Sequence, residues 1–304
     1  MYYALPERIP TTVFARVPDA LRKMRPTDWS NANRGGQPVD CFLEGPSFDR
    51  EGNLWVTDIP NGRIFRISPS GGFDVVAEYD GEPNGLKIHR DGRVFLADYK
   101  NGILVLDPKT GAITPLMARR HSERFRGPND LIFGANGDLY FTDQGQSGLQ
   151  DPSGRVYRLT AAGRLEMLVD GIPSPNGITL SPDERTVHIA VTRANAIWRA
   201  PLMGDGFASK VGTFIQMSGG VGPDGIATLE NGGLAVCHVG LGAIWVFDAL
   251  GQPVYRVDTC AGRATTNLAF GGPDRRTMFI TESETGQILQ ATLPVAGQPM
   301  YAHA

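Results

Sequence analysis

Six stretches decide the reading of this chain: Glu44-Gly-Pro-Ser-Phe48, Pro83-Asn84-Gly-Leu-Lys-Ile88, Pro128-Asn129-Asp-Leu-Ile-Phe133, Pro175-Asn176-Gly-Ile-Thr-Leu180, Pro223-Asp224-Gly-Ile-Ala-Thr228 and Thr266-Asn267-Leu-Ala-Phe270. Each sets a Glu, Asn or Asp in a turn just ahead of a short apolar run. The repeated residues stand at 44, 84, 129, 176, 224 and 267, so the steps are 40, 45, 47, 48 and 43. A period near 45 points to a propeller, whose blades place equivalent positions around one central axis.

Working outward, the first repeat continues through the turn Arg50-Glu-Gly-Asn53 to Leu54-Trp-Val-Thr-Asp58. The turn Pro60-Asn-Gly62 then leads to Arg63-Ile-Phe-Arg-Ile67. Apolar and β-branched runs bounded by Asn-Gly and Glu-Gly turns read as antiparallel strands. The other five repeats follow the same plan. Most add a fourth strand, as in Phe73-Asp-Val-Val-Ala77 and Pro253-Val-Tyr-Arg-Val257. The fold class is therefore all-β: a six-bladed β-propeller with four-stranded antiparallel blades, in one domain over residues 1–304. Residues 41–304 hold the six repeats. The segment Thr12-Val-Phe-Ala-Arg-Val17 is expected to supply the outer strand of the last blade and close the ring. Residues 19–40 are expected to be irregular and to cover one opening, the Gly/Gln/Ser-rich link 144–153 to loop over a mouth, and 19–40, 117–126 and 144–153 together to shape that mouth.

The net charge is −3, and no basic stripe marks a nucleic-acid surface. No run approaches 18 apolar residues, so no membrane span is expected. The start lacks the basic and apolar regions of a signal peptide, which makes the cytoplasm the expected location. Cys41, Cys237 and Cys260 are far apart and form no C-x-x-C, so buried free thiols are expected. Gly220-Val-Gly-Pro-Asp-Gly225 matches a dinucleotide-binding spacing, but a strand rather than a helix follows it. No nucleophile elbow and no H-E-x-x-H spacing occurs, and the five histidines read as surface or satisfied residues.

The six repeated oxygen-bearing side chains remain. One Pro-Asn-Gly alone would be turn chemistry, since Asn and Asp favour turns. Six in register, with the poor turn former Glu44 among them, read instead as a polar funnel. Two carboxylates, Glu44 and Asp224, among amide oxygens suit a hard divalent cation.

Those residues, with Leu43-Glu44-Gly45-Pro46, Gly127-Pro128-Asn129-Asp130, Pro175-Asn176-Gly177, Pro223-Asp224-Gly225 and the run Ala269–Thr281, resemble the senescence marker protein 30/gluconolactonase family, also called regucalcin-like. The resemblance spans roughly residues 40–293. It implies one divalent ion at the axis and hydrolysis of sugar lactones. It further implies that Glu44, Asn176 and Asp224 bind the metal and that Asn129 is a further ligand or a substrate contact. Asp224 matches the general base, and Asn84 a polar rim position that varies in the family. The animal proteins carry an Arg two residues before the Asn of the third blade. Here Arg126 is three residues before Asn129, an offset from the substrate-binding position.

The expected function is a metal-dependent lactonase that opens a small, sugar-type lactone with activated water. The partner is that small molecule, with neither nucleic acid nor membrane. Oxygen-only donors make Ca²⁺ the first choice among Ca²⁺, Mg²⁺, Mn²⁺, Zn²⁺ and Fe²⁺. Two alternatives use the same scaffold: an organophosphate or aryl-ester hydrolase, and a non-catalytic calcium- or ligand-binding propeller.

Overall fold

The computed structural model describes residues 5–303. Six sheets stand around an axis as blades 1 to 6. Their innermost strands are Leu43–Phe48, Pro83–Ile88, Pro128–Phe133, Pro175–Leu180, Gly222–Thr228 and Thr265–Gly271. Each pairs antiparallel with the next strand of its own blade. The apolar faces pack blade against blade, which divides the core into interlayers. Leu229, Ala235 and Val246 of blade 5 meet Leu268, Met278 and Leu289 of blade 6, for example. Apolar burial is satisfied between blades, so the axis is left free for polar side chains.

Thr12–Arg16 is the outer strand of blade 6, antiparallel to Gln287–Thr292, as the sequence predicts. Its Ala15 joins Phe48, Val56 and Phe279 in the interlayer between blades 6 and 1. The ring is thus closed by chain segments almost 280 residues apart, Thr12 opposite Gln290. Two strands were not anticipated. Glu7–Pro10 adds a fifth, parallel strand to blade 5, and Gly212–Gln216 supplies the outer strand of blade 4.

The segment expected to be irregular includes one α-helix, Asp28–Asn33, whose Thr27 cap forms a capping box with Ser30. Its Trp29 packs on Phe42, with ring centroids 4.6 Å apart, at the mouth where the innermost strands begin. At the opposite mouth the C-terminal segment crosses the axis, where the Gln298 N–H donates to Thr228 O at 3.0 Å. Among the described residues no helix is long and apolar enough to cross a membrane. The expectation for the cysteines holds for Cys41 and Cys237, which are buried and free. Cys260 is free but exposed, because it lies in the loop beyond the fourth strand of blade 5, Pro253–Asp258, rather than in an interlayer.

Candidate active site

Every innermost strand breaks register near its repeated polar residue. The irregularities lie between Glu44 and Ser47, Pro83 and Leu86, Pro128 and Leu131, Pro175 and Ile178, Pro223 and Ile226, and Thr265 and Asn267. A bulge re-aims the side chains beside it. Here it lets the polar residue face the axis while the strand keeps its apolar residues in the interlayers. The bulge also brings neighbouring blades very close. A Cβ on Gly225 would stand 2.2 Å from Asn267 Cγ, and one on Gly85 would stand 2.8 Å from Asp130 Oδ1. Glycine is required at both positions.

The strand ends are held by a second set of acids that the sequence reading did not interpret. Asp58 Oδ1 accepts from Phe42 N at 2.8 Å, just ahead of Glu44. Asp98 Oδ2 accepts from Glu82 N at 2.9 Å, and Asp143 Oδ1 from Gly127 N at 2.8 Å. Glu282 Oε1 accepts from Ala264 N at 3.3 Å. In four blades, therefore, the acid ending the second strand anchors the loop that delivers the axial residue. The signal was the recurrence of Thr-Asp or Thr-Glu at three of those strand ends.

A cavity of about 520 Å³ opens at the mouth where the innermost strands begin. Glu44, Asn84, Asn129, Asn176 and Asp224 all line it, so five of the six repeated residues converge. The sixth, Asn267, is buried beneath them. Its Nδ2 donates to Glu44 Oε2 at 2.9 Å, which makes it a support for Glu44. Gly45 N donates to the same oxygen at 2.9 Å. Asn129 Nδ2 donates to Gln144 Oε1 at 3.0 Å, and Gln144 Nε2 donates to Ser174 Oγ at 2.9 Å. The nitrogen of Asn129 is thereby engaged by the wall, and its Oδ1 is left for the cavity. Ser174 sits at φ 66°, a left-handed backbone that few non-glycine residues adopt.

Arg126 is placed elsewhere: it is exposed, donates to Ser153 Oγ at 2.8 Å and is absent from the cavity lining. The arginines that do line the mouth are Arg34, Arg193 and Arg263. Of the loops expected to shape the opening, 19–40 contributes Trp29, Asn33 and Arg34, and 144–153 contributes Gln144. Residues 117–126 form a small hairpin, Arg119–Arg120 against Glu123–Arg124, outside the lining.

Asp130 is the axial residue that the sequence reading overlooked. Blades 1, 2, 4 and 5 place Gly45, Gly85, Gly177 and Gly225 after the repeated residue, and blade 3 places an acid there. Asp130 is 2 % exposed, and its Oδ2 accepts from Asn267 Nδ2 at 3.5 Å. Lys87 Nζ, from the neighbouring blade 2, lies 4.0 Å from its Oδ1. Glu44, Asp130 and Asp224 thus share one low-dielectric space. Burial, and then the neighbouring Asp130 charge, pushes Glu44 up to about 7. Burial, and then the Glu44 charge, holds Asp224 well above the usual carboxylate range, while Asn176 and Arg193 pull it down.

Acids in this condition favour a neutralising cation. Among the described residues, no three His, Cys, Asp or Glu side chains are grouped so that they could hold an ion by themselves. Amide oxygens must complete any such site, and Asn176 and Asn129 line the same cavity as the two carboxylates. This all-oxygen donor set fits a hard divalent ion.

The pattern of the SMP-30/Gluconolactonase/LRE-like region matches residues 42–284. The lactonase drp35 of Staphylococcus epidermidis is 31% identical over 228 residues, covering 71% of this chain and 69% of that protein. The gluconolactonase of Zymomonas mobilis is 29% identical over 275 residues, covering 80% of this chain and 76% of that protein. A crystal structure from Agrobacterium tumefaciens, described as a calcium-binding protein, regucalcin, superposes with a TM-score of 0.79 at 24% identity. That superposition covers 99% of this chain and 100% of the other. The chain belongs to the SMP-30/gluconolactonase/LRE-like family and is a lactonase.

Proposed function

We propose that the chain hydrolyses a small, sugar-type lactone at the 520 Å³ cavity, with one divalent cation held by Glu44, Asn176 and Asp224 and with Asn129 as a further donor. The observation that supports this best is the convergence of two axial carboxylates and two axial amides, from four different blades, on one cavity. Ca²⁺ is the first choice for an all-oxygen set, and Mg²⁺, Mn²⁺, Zn²⁺ and Fe²⁺ are the competing ions. Bound there, the cation would polarise the lactone carbonyl and make water more acidic.

The residues divide the remaining work. Asp224 keeps part of its surface open to the cavity, and as a carboxylate it takes the proton from the attacking water. Glu44 is fixed by Gly45 N and Asn267 Nδ2 on Oε2, so Oε1 is the oxygen turned to a ligand. Asn129 presents Oδ1, since its nitrogen is engaged by Gln144. Asn84 is then the axial amide left to donate to the carbonyl oxygen as negative charge builds on it. Trp29, Phe42 and Val221 wall the mouth and limit water around the reacting group.

The test is a panel of aldonolactones, an aryl ester and a phosphotriester, each assayed for acid release with and without chelator. Lactone turnover lost on chelation and restored by a divalent ion supports this reading. Turnover of the phosphotriester or aryl ester in preference to lactones would replace it with the broader esterase function. Lactone turnover indifferent to exhaustive chelation would remove the cation from the scheme.

A further inference from the structure

The walls of the cavity differ in sign from its floor. Arg34, Arg193 and Arg263 stand exposed around the opening, although the chain as a whole carries a net charge of −3. Among the described residues, none of the three has a carboxylate within 4.0 Å, whereas eleven of the other twenty-one arginines do. The acid at the same rim, Glu284, is turned to the backbone: its Oε2 accepts from Arg263 N at 2.6 Å.

The three side chains project from anchored backbone. Arg34 lies over the Phe42 ring, 5.1 Å from its centroid. Arg193 sits in the single turn Thr192–Ala194, tied to the strand of Asp224 by the bond from Thr192 Oγ1 to Pro223 O at 2.8 Å. Arg263 O accepts from Gly240 N at 2.9 Å. Free guanidinium groups on fixed loops, above a pocket floored with acids, are placed to hold an anionic group that stays outside the reacting centre.

We infer that the preferred substrate is a lactone bearing a second, negatively charged group, a carboxylate or a phosphate, which Arg193 and Arg263 hold at the rim with Arg34 beside them. This rests on the lactonase reading and narrows its substrate class. A neutral polyhydroxy lactone would use the axial amides and leave the arginines idle. Arg193 has a rival role as counter-charge to Asp224, and the test separates the two.

Initial rates are measured on glucono-1,5-lactone, glucaro-1,4-lactone and 6-phosphoglucono-1,5-lactone at low and moderate salt, for the native enzyme and for Arg193→Gln, Arg263→Gln and Arg34→Gln. Higher kcat/KM on the two charged lactones is expected, falling with salt. Arg193→Gln and Arg263→Gln should each raise KM on them about tenfold, the worth of one charge-assisted contact, and Arg263→Gln should leave kcat and the neutral lactone unaffected. The more sensitive of the two charged lactones identifies the anion. Equal or better turnover of the neutral lactone, with KM indifferent to Arg263→Gln, overturns the inference and leaves the lactonase reading standing. A fall in kcat on all three lactones with Arg193→Gln, and no effect of Arg263→Gln, assigns Arg193 to Asp224 and equally overturns it. If no lactone turns over, the lactonase reading fails. Calorimetric binding of glucarate against gluconate, in native protein and Arg263→Gln, then decides the rim by itself, equal affinities refuting it.

Discussion

Two sets of buried acids stand a few residues apart and behave differently. Asp58 and Asp98, at the ends of second strands, are saturated with donors. Asp58 receives Phe42 N, Asn61 Nδ2 and the Arg63 guanidinium, and Asp98 receives Tyr79 OH and the backbone of Glu82, Lys100 and Asn101. Glu44, Asp130 and Asp224, on the axis, have fewer donors and repel one another, with Lys87 and Arg193 offsetting only part of that charge. The same residue type is an anchor where donors surround it and a raised, strained acid where like charges do. Burial raises the carboxyl groups in both places, but hydrogen bonds, and at Asp58 the Arg63 charge, offset it in the first set, whereas like charges add to it in the second.

The comparison breaks most visibly by deletion on the axis. Glu44→Ala and Asp224→Ala are each expected to lower lactone turnover by about 10²–10⁴-fold. The metal-free melting temperature should hold or rise, because a repelling charge is gone. A clear fall in melting temperature with activity preserved would mean that the axial acids are structural.

The second effect is the mirror image. Arg63 is 1 % exposed and bonds to Asp58 and to Leu21 O, so Asp58→Ala strands a buried guanidinium. A loss of about 3–5 kcal/mol in denaturant unfolding is expected, with turnover per folded molecule largely kept. Unchanged stability would remove the distinction between the two sets.

The smallest effect sharpens the contrast with a buried base. His188 has an unpartnered Nδ1, and burial, with help from the Arg199 charge, pushes it down to about 4 from its ordinary 6.5. It sits neutral at pH 7 and needs no counter-ion. Its folded value lies below its unfolded value, so the unfolded state binds the extra proton between these limits. Stability is therefore lost as pH falls from 6.5 towards 4. His188→Phe should flatten that loss by roughly 1–2 kcal/mol between pH 7 and pH 5, measured as the difference in unfolding free energy from the native protein. Identical slopes would show that His188 is solvated.

Much of this was legible before any coordinates. The period near 45 and the Pro-Asn-Gly turns marked six blades, and the run at residues 12–17 marked the closure, because both signals are local and repeat. The five residues that line the cavity were legible for the same reason: equivalent positions in equivalent blades meet on the axis. Other features were hidden. Asn267 shares the repeated position yet turns below the cavity to support Glu44. Arg126 lies near the expected place in sequence yet is exposed beside Ser153.

By itself, then, the sequence determined the number of blades, the order of their strands and which polar residues would ring the axis, since short-range alternation and spacing specify strands and turns. Only the tertiary structure decided which of those residues share a cavity, that Asp130 adds a third axial charge, and that Arg34, Arg193 and Arg263 surround the opening. Those outcomes depend on where bulges turn side chains and where loops from different blades come to rest. Contacts between residues dozens of positions apart are set by packing around the ring, which no local pattern encodes.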